Sequence, residues 1–243
     1  MPPINKVRRI ALIGAMQEEL SAVLALMPDA HVESVAGRQF WLGHLSGHAV
    51  VAVLSGIGKV AAAITATVLI EKYQVQSILF TGVAGGLAPH VKLGDVVVAT
   101  ELLQHDMNAS PLFPQYEVPL LGRARFQTDS HMTQCLVNSA ALALPDAKLH
   151  TGLIVSGDQF VSSASESRRL QNEISDAMAV EMEGAALAQV CHAYGIPLAV
   201  VRTLSDRADD SAHIDFVQFV KEVASHYSAA IVSEFLRQWP KVG

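Results

Sequence analysis

Short, almost wholly apolar runs recur along this chain, and nearly every one closes on small or polar residues. Ile10-Ala-Leu-Ile13 closes on Gly14, Val50-Val-Ala-Val-Leu54 on Ser55-Gly56, Ile78-Leu-Phe80 on Thr81-Gly82, and Leu153-Ile-Val155 on Ser156-Gly157. Runs this short cannot span a bilayer. They read instead as buried strands. Segments with helical spacing lie between them, so the chain is expected to be α/β with a mixed sheet. It has 243 residues, 51% apolar and only 16% charged. One large domain over residues 1–243 is therefore expected rather than two.

In chain order, residues 9–16 read as the first strand and 17–26 as a helix that Pro28 ends. Residues 39–45 and 48–54 read as a hairpin around Ser46-Gly47. The turn Ser55-Gly-Ile-Gly-Lys59 leads into an Ala-rich helix over 60–73. After a strand at 77–81, Gly82-Val-Ala-Gly-Gly-Leu87 reads as a glycine-dense loop where backbone N–H groups can approach a ligand. Further strands are expected at 94–99, 150–155, 178–180 and 197–204. Residues 104–125 lack periodicity and carry Pro111, Pro114 and Pro119 among Leu112, Phe113 and Tyr116, the pattern of a lid or an interface. Helices are expected over 130–144 and from a capping box at Ser163-Ala-Ser-Glu166 to about 174. Another runs from Gly184 to Tyr194, stopped by Gly195 and Pro197. The last covers 215–236, with Phe216, Phe219, Val220, Val223, Tyr227, Ala230 and Ile231 on one face.

The formal net charge of −6 and the lack of a basic cluster argue against nucleic acid or an anionic membrane as partner. Cys135 and Cys191 are far apart, in no metal or redox spacing, and read as reduced thiols of a cytoplasmic protein. The start of the chain is basic at Lys6, Arg8 and Arg9. The apolar run that follows meets Gln17-Glu18-Glu19, so it reads as a strand and not a signal peptide. The low charged fraction fits a surface partly buried in an oligomer.

The carboxylates carry the functional argument. Ala179-Val-Glu-Met-Glu-Gly-Ala-Ala186 sets two of them two residues apart, in apolar surroundings, at a strand-to-helix junction. Carboxylates rarely bury without a partner. One would serve a helix N-terminus; two suit a ligand site at the carboxyl end of a strand. Glu19 follows the first strand, and Ser205-Asp206 ends the last, with Arg202 four residues before Asp206. A single Asp in that place reads as an N-cap. Three such junctions point to a shared pocket for acid–base work on a hydroxyl-rich substrate.

Competing motifs fail. Gly56-Ile-Gly58-Lys59 lacks P-loop spacing, Gly82-x-x-Gly-Gly lacks the dinucleotide fingerprint, and no GxSxG occurs. His44 and His48 read as solvated turn histidines rather than a zinc pair, and His105-Asp106 as a local hydrogen bond. No metal and no organic cofactor are implied.

Six segments in register carry a family resemblance: Ile13-Gly-Ala-Met-Gln-Glu-Glu19, Ser55-Gly-Ile-Gly-Lys59, Thr81-Gly-Val-Ala-Gly-Gly-Leu87, Gly152-Leu-Ile-Val-Ser-Gly-Asp158, Val180-Glu-Met-Glu183 and Val201-Arg-Thr-Leu-Ser-Asp206. From about residue 9 to 236 the chain resembles the 5′-methylthioadenosine/S-adenosylhomocysteine nucleosidases of the nucleoside phosphorylase superfamily. The resemblance implies a three-layer α/β/α sandwich with a mixed central sheet, a homodimer, and hydrolysis of a nucleoside's N-ribosidic bond to release adenine and the 5-thio-ribose. It implies that Asp206, oriented by Ser205, protonates adenine N7. Glu19 would activate the attacking water with Arg202 nearby. Glu183 would bind the ribose hydroxyls and Met182 would pack on the sugar. Phe160 would stack on adenine, and the backbone of Val161 would read its edge. Met16, Ile57 and Phe216 would line the ribose and 5′-thio region, with Ala84 and Gly85 also in contact with substrate. Residues 112–119, Phe113 and Pro119 among them, would cap the pocket of the partner subunit.

Val83 stands where some members carry Ser, and Gly184 where others carry Ala or Thr. The 104–125 loop is longer and richer in proline than in some members. Because that loop shapes the 5′ end, hydrolysis of 6-amino-6-deoxyfutalosine is one alternative. A phosphate-dependent purine nucleoside phosphorylase is another, disfavoured because the carboxylates of Gln17-Glu18-Glu19 repel phosphate. A nucleoside sensor without catalysis is the reading from a different class. It would not require Glu19, Glu183 and Asp206 together.

Overall fold

The first apolar run forms β1 (Arg9–Gly14). Its side chains alternate between two faces: Ala11 and Ile13 enter one apolar cluster, Ile10 and Leu12 another. The computed structural model describes residues 8–240 apart from 210, 211, 213–215, 217, 218 and 220–222. After β1 come α1 (Gln17–Ala25), β2 (His31–Val35), β3 (Arg38–Leu45), β4 (His48–Leu54), α2 (Lys59–Glu71), β5 (Ser77–Gly86), β6 (Val96–Gln104) and β7 (Arg125–Gln127). Then follow α3 (Ser130–Ala143), β8 (Leu149–Ser156), α4 (Ala164–Glu173), β9 (Ala177–Glu181), α5 (Gly184–Tyr194), β10 (Leu198–Asp206) and α6 (Ser225–Gln238).

The strands form one mixed sheet in the order β10-β6-β8-β9-β5-β1-β4-β3-β2, with β7 beside β6. β10 also pairs with β5. The strands β5, β9, β8, β6 and β10 therefore close into a ring of pairings, from which β1, β4, β3 and β2 extend as an open wing. Helices α2 and α5 pack on one face through Ala62, Ala66, Leu69, Ala185 and Leu187. On the other face α1, α3 and α6 pack through Leu20, Val23, Met132, Leu136, Ile231 and Phe235. The expected three layers result. Each fully buried Leu or Phe contributes about 1.5–3 kcal/mol relative to exposure. Helix α4 covers a further cluster with Leu153, Val155, Leu170 and Ile174. Among the described residues no helix is long and apolar enough to cross a membrane.

Several expectations need correction. The glycine-dense segment 82–86 is not a loop but the end of β5, paired to β10 and β9. β2 was not expected, since it carries exposed His31 and Ser34 around a half-buried Glu33 and shows no apolar alternation. β7, not expected either, starts at Arg125, the last residue of the segment read as irregular, and its Phe126 is buried against β6. His48 is not solvated: it is buried, and its ring nitrogen bonds Leu236 O at 2.9 Å. The final helix is described as α6 from Ser225, with Phe216 and Phe219 helical before it; Asp215 and Val220 lie outside the described residues.

Candidate active site

The carboxyl ends of β1, β9 and β10, the outer part of β5 and the turns after β4 and β8 converge on a cavity of about 400 Å³. Its wall is Ala15, Met16 and Glu19 at the β1–α1 junction, Ile57, then Val83, Ala84 and Gly85 of β5, Phe160, Val180 to Glu183 at the β9–α5 junction, Ser205, Asp206 and Phe216. Met16, Glu19, Ile57, Ala84, Gly85, Phe160, Met182, Glu183, Ser205, Asp206 and Phe216 thus come together as expected. Arg202 lies behind the wall, 1% exposed. Val161 is buried in the cluster under α4. Phe113 and Pro119, half-buried on the 104–125 loop, are not on this wall. Ala15, Val83, Val180 and Glu181 complete it; the three apolar ones, at strand ends, carry no sequence signal of that role.

Glu19 sits in the first turn of α1 because its side chain folds back to cap that helix. Its Oε2 accepts from the N–H of Ala15 at 2.6 Å and Met16 at 2.9 Å, and Oε1 from the N–H of Val83 at 3.0 Å. Burial raises its pKa, against the Arg202 charge and those three donors.

Glu181 is consumed by structure. Arg202 Nη2 meets its Oε2 at 2.6 Å, and it also accepts from Ser156 Oγ and the Gly184 N–H. Ser156 in turn accepts from the Ala185 N–H at 2.8 Å. Arg202 stacks over the Phe80 ring at 3.6 Å, and its Nε and Nη1 find no hydrogen-bond partner among the described residues. Gly82 is required here, since a Cβ would overlap both Arg202 Nη1 and Glu19 Oε1.

Glu183, 5% exposed, accepts from the Gly58 N–H at 2.8 Å and lies 3.8 Å from Arg202 Nη2. Burial and the neighbouring Glu181 push its pKa up to about 8, against Arg202 and the Gly58 N–H. Asp206, 2% exposed, takes Ser205 Oγ on Oδ2 and the Ala208 N–H on Oδ1, both at 2.7 Å. A Cβ at Gly85 would stand 2.8 Å from that Oδ1. At the mouth, Phe160 meets Phe216 edge-on, centroids 5.5 Å apart. No Lys, Arg or His stands on the wall among the described residues. No group of three or more His, Cys, Asp or Glu among them is arranged for a metal. His105 makes no hydrogen bond to Asp106: its buried ring nitrogens find no hydrogen-bond partner among the described residues, while Asp106 pairs with Lys59.

Such a cavity offers two buried carboxylates on separate elements and a third between strand and helix, suited to proton transfer at a neutral polar ligand. A family model described as the phosphorylase superfamily matches residues 9–237. A relative from Shewanella baltica, named 5′-methylthioadenosine/S-adenosylhomocysteine nucleosidase, is 37% identical over 95% of this chain and 97% of its own. One of the same name from Bacillus thuringiensis is 38% identical over 92% and 96%. The Neisseria meningitidis nucleosidase, solved in complex with methylthio-immucillin-A, superposes with a TM-score of 0.90 at 36% identity, covering 95% of this chain and 99% of that one. The Streptococcus pyogenes S-adenosylhomocysteine nucleosidase with 5-methylthiotubericidin gives 0.91 at 36% identity over 98% and 100%. The chain belongs to the phosphorylase superfamily and, within it, to the 5′-methylthioadenosine/S-adenosylhomocysteine nucleosidase family.

Proposed function

We propose that this protein hydrolyses the N-ribosidic bond of 5′-methylthioadenosine and S-adenosylhomocysteine, giving adenine and the 5-thio-ribose, with the whole chain acting as one catalytic unit. The observation that carries the reading is Glu19 and Asp206, buried on one cavity from opposite ends of the chain, with Glu183 on the same wall.

Cleavage of the C1′–N9 bond builds positive charge on the ribose and negative charge on the base. Asp206, oriented by Ser205, delivers a proton to adenine N7, so the base leaves neutral. Water adds to C1′ and gives its proton to Glu19. The unpartnered Arg202 Nη1 and Glu19 Oε1 both crowd Gly82, which supports a water held between acid and guanidinium. Glu183 takes the ribose hydroxyls, and its negative form stabilises the ribosyl cation. Phe160 and Phe216 supply the aromatic face for adenine and the apolar mouth for the 5′-thio group, alongside Met16, Ile57 and Met182. Ala84 and Gly85 form the floor under the base, and the Val161 backbone reads its edge. Among the described residues the wall carries carboxylates and no Lys, Arg or His, and Arg202 behind it is paired with Glu181, which favours water over phosphate as nucleophile.

The same reading makes the protein a cytoplasmic homodimer. Ile57, Val60 and Ile64 lie exposed at and along α2, and Leu112 and Leu120 on the 104–125 loop. These apolar positions suit a second copy, whose Phe113 and Pro119 would close the 5′ end of the cavity. The free thiols Cys135 and Cys191 fit a reducing compartment. Asp206→Asn keeps the shape of the site and loses the transferable proton. Turnover of 5′-methylthioadenosine should fall at least about a thousandfold with substrate still bound in calorimetry; near-normal turnover removes the assignment.

A further inference from the structure

Helix α2 begins at Lys59 behind a glycine, Gly58, that has no side chain to cap it, and no acidic residue stands in its first turn. Helices α3 and α4 are capped by their own Asp129 and Ser163. The cap of α2 comes from far along the chain: the Lys59 N–H donates to Asp158 Oδ1 at 2.7 Å. Asp158 is itself fixed, its N–H donating to Asp106 Oδ2 at 3.0 Å. Asp106 Oδ1 meets Lys59 Nζ at 2.5 Å, which closes the cycle back onto Lys59. Burial works to raise the Asp106 pKa, but Lys59 and the Asp158 N–H outweigh it and hold it below its ordinary value.

None of the three side chains lines the cavity. Two groups that do line it hang directly on the cycle. The N–H immediately before Lys59, that of Gly58, is the donor to Glu183 Oε1 at 2.8 Å. Two residues after Asp158 stands Phe160. Gly58 has φ 97°, and a Cβ there would lie 3.0 Å from Asp158 Oδ1, so the close approach depends on glycine.

We infer that Asp158, held by Lys59 and Asp106, is a positioning residue that locks the ribose-binding Glu183 and the aromatic Phe160 into one register by capping α2 across the mouth of the site. This rests on the nucleosidase reading. Asp158→Ala removes the cap acceptor, and Asp158→Asn keeps an oxygen in its place. In Asp158→Ala, kcat/KM for 5′-methylthioadenosine should fall about tenfold, the scale of a small misplacement.

The pH profile separates positioning from mere support. Glu183 faces Arg202 from β10, Glu181 beside it, Glu19 from α1 and the Gly58 N–H at α2. Only the last depends on Asp158. The limb of the profile set by Glu183 should move to higher pH in Asp158→Ala and stay put in Asp158→Asn. Amide exchange over residues 55–60 of the unliganded protein should speed up in Asp158→Ala alone. Unchanged exchange with kcat/KM within twofold of wild type overturns the inference, as does an Asp158→Asn variant as impaired as Asp158→Ala. If wild type releases no adenine, the nucleosidase reading fails, while the exchange result still decides the clamp.

Discussion

Burial and the neighbouring Glu181 raise the pKa of Glu183 to about 8 from an ordinary 4.5, so this carboxyl holds its proton more tightly in the folded protein than in the unfolded chain. The folded state thus holds a proton that the unfolded chain has already lost, and stability falls as pH rises from about 4.5 to about 8. Glu183→Gln removes that dependence. It should raise the melting temperature roughly 3–6 °C above wild type near pH 8.5, while the two coincide near pH 4. A wild type whose stability relative to Glu183→Gln does not change with pH would contradict the burial of this carboxylate. The three acids were legible in the sequence because charged residues at the ends of apolar strands have few bland explanations. The Arg202–Glu181 pair was not, since its members lie on different strands and meet only through the register of the sheet. His48 was misread for the same reason: its partner, Leu236 O, lies on the last helix.

Among elements, apolar runs and caps were the readable signals. The hairpin at Ser46-Gly47 and the Ser163 cap stand as expected. Ala36-Gly37 makes the same kind of turn, with both φ positive, but the polar edge strand before it hides the hairpin. Gly82 to Gly86 reads as loop because glycine weakens strands. Here the strand persists since side chains would collide with Arg202, Glu19, Asp206 and Val91, a demand visible only in three dimensions. The α5 stop was legible: Gly195 adopts φ 66°, and Ile196 N–H returns to Cys191 O at 2.9 Å. Gly195→Ala should lower unfolding free energy by about 1 kcal/mol in urea titration, with activity unchanged, because the site is at the other end of the helix.

For the whole molecule, the order of elements declared an α/β sandwich, but not the ring that β10 closes by pairing with β5. That closure brings Asp206 and Glu19, 187 positions apart in sequence, onto one cavity. Among the described residues the cavity wall carries carboxylates and no Lys, Arg or His, which disfavours an anionic nucleophile, and hydrolysis is the central claim. The measurement that tests it most directly is adenine release from 5′-methylthioadenosine by the wild-type protein in phosphate-free buffer. The account predicts full turnover there, with 5-methylthioribose as the other product and no acceleration on adding phosphate. Strict dependence on phosphate, with a sugar 1-phosphate formed, would contradict it.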